Sequence, residues 1–171
     1  AAGNGLYADF SPKPLPDAPG SGMHINLSVK ASSGADVMPQ VMAGILNHVY
    51  NLTVFFNPVD ASYRRLGCRK APRYIIPAAS GEYRRAELRS PDPSCNPYLA
   101  FALLIYAGLD GVRTASSLPA PADVNLFTAP EQVTASYRKL PGMLDEAKQA
   151  ARASEFARRY LPETLVAYYT R

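Results

Sequence analysis

The chain has 171 residues, 47% of them apolar and 19% charged, with a formal net charge of +4. That length supports one domain with a substantial core, since burial approaches ~70% of the unfolded surface at about this size. No apolar run approaches the ~20 residues that cross a bilayer, so membrane insertion is not expected. The opening "AAGNGLYADFSPKPLPDAPG" has neither the basic flank nor the apolar core of a signal peptide, and it lacks an initiating methionine, which points to a piece of something longer. Cys68 and Cys95 have no CxxC spacing and no nearby histidine, so a reducing cytoplasm fits best. Lys and Arg concentrate between Arg64 and Arg89, in "SYRRLGCRKAPR" and "EYRRAELR". Arginines interleaved with carboxylates bind phosphates and substrate carboxylates through paired hydrogen bonds.

In chain order, residues 22–30, "GMHINLSVK", alternate with a period of two and predict a strand. "VMPQVMAGILNHVYNLTVFFNP" has helical spacing, with Asp36 as N-cap, Pro39 in the first turn and an end near Asn57. "NPVDASYRRLGCRKAP" reads as a loop. "RYIIP" and "RRAELRS" read as two short strands of a hairpin with Gly81 in the turn. "PDPSCNPYLAFALLIYAGLDGVRT" predicts a helix capped by Asn96, with Pro97 at its first position and apolar nearly all round, hence a core helix. A Pro-rich connector, "SSLPAPADVNLFTAPEQ", leads to two amphipathic closing helices, "GMLDEAKQAARASEFARRY" and "PETLVAYYTR". The balance is α+β, in a single partial domain over residues 1–171.

The first strand carries the chemistry. Alternation puts His24, Asn26 and Ser28 on one face and Met23, Ile25, Leu27 and Val29 toward the core. In "RRAELRS" the same rule puts Arg85, Glu87 and Arg89 on one face and Ala86 and Leu88 on the other. If the polar faces meet, they make a pocket of one imidazole, one carboxylate and two guanidiniums. Glu87 between two arginines is expected to be ionised. It can serve as a structural ion pair or as part of a metal and phosphate site. His48, in a helix among apolar neighbours, reads as structural, and both cysteines read as packing residues.

Taken together, "KPLPDAPGSGMHINLS" (13–28), "NPVDASYRRL" (57–66) and "RAELRSPDPSCNPYLAFALLIYAGLDGV" (85–112) resemble the glutamine synthetase family, as does "LPGMLDEA" near the C-terminus. The resemblance runs from about Ala8 to Tyr169 and covers the C-terminal part of that family's catalytic domain. It implies a short curved antiparallel sheet packed against helices. The activity it implies is ATP-dependent ligation of ammonia to glutamate through a γ-glutamyl phosphate, with Mg²⁺ or Mn²⁺. On this resemblance His24 and Glu87 match metal-binding residues. Gly20, Arg65 and Arg89 match glutamate contacts, Arg65 and Arg89 being the catalytic arginines, and Ser28, Asn26 and Arg85 fall at nucleotide-side positions.

There are also departures from the family pattern. Asn26 stands where many members have a second histidine, and Pro19 where an asparagine is common. Lys70 replaces a flap glutamate that helps take up ammonia, and a lysine both fails to accept the ammonium proton and repels the cation. Ile75 falls where an arginine would grip ATP phosphates. A Mg²⁺ site takes about six mostly oxygen ligands, whereas His24 and Glu87 supply two. Family members draw the other carboxylates from preceding strands and complete the pocket with a domain of a neighbouring subunit. The expectation is therefore a ligase segment that is incomplete alone, needing a missing upstream segment or a homo-oligomer. Two other readings stand beside it: a γ-glutamyl ligase for another amine, and an inactive relic acting as an assembly module. Nucleic-acid binding is not expected, because Tyr63, Tyr74 and Tyr83 form no RNA-binding pattern.

Overall fold

The computed structural model describes residues 2–68, 70–77 and 85–171. Its spine is a pair of long helices, α1 (Met38–Phe56) and α3 (Pro97–Arg113). Helix α1 begins one residue later than Asp36 alone implies, but the Asp36 carboxylate still accepts the Met38 N–H at 3.1 Å, and Asn57 ends the helix by donating its backbone N–H to Thr53 O at 2.8 Å. Asn96 caps α3 as expected, its Oδ1 accepting from Tyr98 N at 3.0 Å and Leu99 N at 3.2 Å.

The two helices touch through glycine. A Cβ placed on Gly44 would lie 2.7 Å from Gly111 Cα, and one on Gly111 would lie 2.7 Å from Gly44 Cα. Gly108 gives Val41 the same close seat, 2.9 Å from such a Cβ. Around this crossing Leu52, Phe55 and Phe56 of α1 and Leu103 and Leu104 of α3 are almost wholly buried. Each such side chain stabilises the fold by about 1.5–3 kcal/mol.

The closing helices pack on α1. The stretch expected as one helix is two, α5 (Leu144–Ala153) and α6 (Glu155–Tyr160), because Ser154 takes an extended backbone and its Oγ accepts the Ala157 N–H at 3.1 Å. Helix α7 (Glu163–Thr170) follows, and Phe156 and Val166 join the core. His48 of α1 places Nε2 2.7 Å from Asp110 Oδ2 and stacks on Phe156 at 3.9 Å between ring centroids, tying three helices together.

The sheet has two strands among the described residues, β1 (Ile25–Leu27) and β2 (Ala86–Leu88), antiparallel with Asn26 opposite Glu87. Further differences from the sequence reading appear here. The segment expected as loop holds a short helix, α2 (Asp60–Arg65), with Asp60 favourably placed in its first turn. "RYIIP" forms no strand; Tyr74 bridges Lys139 instead, because Ile75 N donates to Arg138 O and Leu140 N to Arg73 O, both at 2.8 Å. The Gly81 turn lies outside the described residues. Val29, expected in the core, is exposed, since β1 stops at Leu27. A last helical turn, α4 (Glu131–Thr134), interrupts the connector.

Candidate functional site

Strand β1 lies on the core through Ile25, with Met23 and Leu27 packed beside it, so its other face is turned outward. The antiparallel register sets Asn26 beside Glu87 and brings the predicted polar faces together as neighbours on one side of one sheet. His24 reaches diagonally across, its Nδ1 2.8 Å from Glu87 Oε1. Arg89 approaches the same carboxylate from the other side, Nη1 to Oε2 at 3.8 Å. All three side chains are part-exposed, and a pair of this exposure adds little to stability, about 0.2–1 kcal/mol.

Arg65 reaches this place from α2 and is 2% exposed. Its Nη1 donates to Ser90 O at 2.8 Å and its Nη2 to Arg89 O at 2.9 Å, so it grips the backbone at the end of β2. Burial draws this guanidinium below its ordinary pKa; the Asp92 carboxylate works in the opposite sense and Arg89 adds to the lowering.

The Gly-Ser-Gly turn is laid over Arg65. Ser21 N donates to Pro12 O at 3.0 Å and Met23 N to Pro91 O at 2.9 Å, which pins both ends. A Cβ on Gly20 would lie 2.9 Å from Arg65 Cγ, and one on Gly22 would lie 2.6 Å from Arg65 Nη2 and 3.3 Å from His24 Nε2. Glycine at both positions is therefore what allows the turn, the arginine and the histidine to meet.

Beside the pair opens a cleft of about 1100 Å³, floored by Ile45 and Val49 of α1 and walled by residues 70–77 and 126–140. Asn26, Arg85, Glu87 and Arg89 line it, and so do Lys70, Arg73 and Lys139. Among the described residues its cations outnumber its two carboxylates, Glu87 and Glu131, and the field of those residues favours an anion. Ile75 lines it too, and Lys70 does so with a left-handed backbone, φ 65°. Ser28 lies past the end of β1 and is exposed.

Sequence reasoning missed two parts of this site. One is the buried support of Asn57 and Asp92: Asn57 Nδ2 donates to Ser90 O at 2.8 Å and to Asp92 Oδ2 at 2.9 Å, while Asp92 Oδ1 accepts from Ser94 N at 2.9 Å. The Asp between two prolines in "PDPS" was the available signal, as an Asx turn. The other is Lys139 and its neighbours, which no periodicity marks.

As a metal centre, His24 and Glu87 offer one nitrogen and one oxygen donor side by side, which suits Mn²⁺ or Mg²⁺ in kind but not in number. Among the described residues no group of three or more His, Cys, Asp or Glu side chains could hold a metal ion.

Comparison with known proteins shows the family of the chain. The family model described as glutamine synthetase, catalytic domain, matches residues 1–171. The chain is 37% identical to a glutamine synthetase of Methanosarcina mazei over 193 aligned positions, covering 96% of the chain and 43% of that protein. It is 35% identical to one of Thermus thermophilus, covering 99% and 44%. A solved GmaS/ADP complex superposes with a TM-score of 0.83 at 26% identity, over 98% of this chain and 45% of that one. Ligand-free GmaS superposes with a TM-score of 0.81 at 28% identity. The chain thus spans less than half the length of the relatives it matches, and it belongs to the glutamine synthetase family, within the catalytic domain.

Proposed function

We propose that this chain supplies the C-terminal part of a site that joins ammonia to the side chain of glutamate, using ATP and proceeding through a γ-glutamyl phosphate. The observation that carries the reading is the His24–Glu87 pair at 2.8 Å on the rim of a cleft rich in Lys and Arg, in a chain of this family. His24 and Glu87 would hold Mg²⁺ or Mn²⁺, whose chemical contribution is to neutralise phosphate charge. Arg89, the part-exposed cation beside Glu87, would meet the transferring phosphoryl group, where a guanidinium stabilises charge that develops in the transition state. Gly20 and Arg65 would receive glutamate: the Arg65 guanidinium has N–H donors beyond the two given to carbonyls and, buried directly beneath Gly20 and Gly22, would act from under that turn. Ser28, Asn26 and Arg85 would face the nucleotide; that a structural relative is an ADP complex supports nucleotide binding by this fold. With two metal donors, the chain alone would turn over little substrate.

Lys70 on the cleft wall favours a second reading, a γ-glutamyl ligase for an amine other than ammonia, because it changes the acceptor-side flap while His24, Glu87 and Arg89 persist. The test is γ-glutamyl hydroxamate formation with ATP, glutamate, hydroxylamine and Mn²⁺, beside calorimetry with Mn²⁺ and ADP. The expected result is Mn²⁺-dependent ADP binding that His24→Ala abolishes, with hydroxamate near background. No metal-dependent nucleotide binding would sink the ligase reading, and robust turnover by the chain alone would sink its incompleteness. A panel of primary amines given to an active assembly would separate the two ligase readings.

A further inference from the structure

One wall of the cleft is built from two chain segments that hold each other. Ile75 N donates to Arg138 O and Leu140 N to Arg73 O, both at 2.8 Å, and the Tyr74 hydroxyl donates to Thr134 Oγ1 at 3.0 Å. This paired wall brings Arg73 and Lys139 to the cleft. Bonds between the two segments fix them to each other but not to the helices, so the place of those cations depends on what ties the wall down.

The tie runs through one carboxylate. Glu146 lies in the first turn of α5, where negative charge is favoured. Its Oε2 reaches back to accept the Gly142 N–H at 2.7 Å, as the glutamate of a capping box does. Its Oε1 accepts the hydroxyl of Tyr50 on α1, also at 2.7 Å. That bond raises the Tyr50 hydroxyl above its ordinary pKa, so the phenol stays a donor. The Tyr50 ring in turn seats the Arg138 guanidinium, whose carbon stands 4.4 Å from the ring centroid. Arg138 is the neighbour of Lys139 and the acceptor of the Ile75 bond. Both oxygens of Glu146 are thus used by groups from two elements, and the cation they help to seat adjoins a cleft-lining lysine.

We propose that Glu146, Tyr50 and Arg138 form a positioning device for the cleft: they hold its wall so that Lys139 and Arg73 face an anion bound there. They act through those two cations. The proposal deepens the reading of the cleft as the phosphate side of a ligase, and rests on it only for the sign of the ligand's charge.

The test is calorimetric binding of inorganic tripolyphosphate, a probe of the wall without nucleoside or metal, beside amide hydrogen exchange. Tyr50→Leu and Glu146→Ala should each weaken binding by about fivefold or more. Exchange at the Ile75 and Leu140 amides should quicken by about tenfold, while Leu103 and Leu104 in α3 keep the parent rates. Tyr50→Phe keeps the ring beneath Arg138 and should recover more than half of the loss. The decisive measurement is a double-mutant cycle: in a Lys139→Met chain, Tyr50→Leu should cost less than half as much on a logarithmic scale, because the cation it places is gone. Equal losses with and without Lys139, unchanged wall exchange, exchange quickened throughout the chain, or a parent chain that binds no tripolyphosphate would each overturn the proposal. Absence of Mn²⁺-dependent ADP binding in a chain that binds tripolyphosphate in this pattern would sink the ligase reading alone and leave the positioning device standing.

Discussion

Nδ1 of His24 stands 2.8 Å from Oε1 of Glu87, a single contact that joins β1 to β2 on their outward face. Because both groups are more than a third exposed, the contact does little for the fold. His24→Ala and Glu87→Gln should each shift the thermal midpoint by less than about 3 °C, while Mn²⁺ binding followed by water-proton relaxation should disappear in both. A large loss of stability with metal binding retained would make the pair a structural strut.

Arg65 should behave in the opposite way. Arg65→Met removes two hydrogen bonds to backbone carbonyls, that to Ser90 buried, and leaves Asp92 without the cation it faces, so it should cost about 3–5 kcal/mol in urea unfolding. Arg65→Lys cannot bridge both carbonyls and should recover less than half of the loss. A variant within about 0.5 kcal/mol of the parent would refute the clamp.

The helix crossing has no room for a methyl group. Gly44→Ala or Gly111→Ala should destabilise by about 1–3 kcal/mol or more, as overpacking a tight contact does. Gly34→Ala is the comparison for strain without crowding: nothing lies near its Cβ, but its φ of 77° is unfavourable for alanine, so a loss of about 1 kcal/mol is expected there. Calorimetric midpoints decide whether the crossing outranks the turn.

Thiol chemistry should separate the cysteines. Cys68 is exposed, whereas burial, with the Asp92 charge adding to it, pushes the Cys95 thiol up to about 11. An aromatic disulfide reagent should therefore titrate one thiol in the native chain and the second only on unfolding. The same shift has a stability consequence. Cys95 keeps its proton in the folded state, so its contribution is full below about pH 8.5, the unfolded value, and is lost as pH rises toward 11. Between those limits stability should fall by up to about 1.4 kcal/mol per pH unit from this group. Tyr63, raised by burial with Asp92, Asp60 and Glu146 adding, extends the loss to higher pH. Cys95→Ala should flatten the curve between pH 9 and 10.5.

Much of this was legible in the residues. Period-two alternation placed His24 and Glu87 on the outward face of paired strands, and Asn96-Pro97 fixed the start of α3 because cap chemistry is local. What failed was long-range. The segment from Arg73 to Pro77 has strand composition, yet its backbone partner lies near residue 139, and no local pattern announces a partner that distant. Helix α3 read as buried on all sides from its composition, and one of its faces is open. The buried support of Asn57 and Asp92 beneath Arg65 likewise depends on three segments meeting, which only the folded chain reveals.

The Arg65 clamp bonds the carbonyls of Arg89 and Ser90, not their side chains. A carbonyl is the same acceptor whatever residue carries it, so the side chain at position 89 can vary without loosening the anchor. Substitution there can thus rewrite what the end of β2 presents to the cleft while leaving its place in the fold fixed.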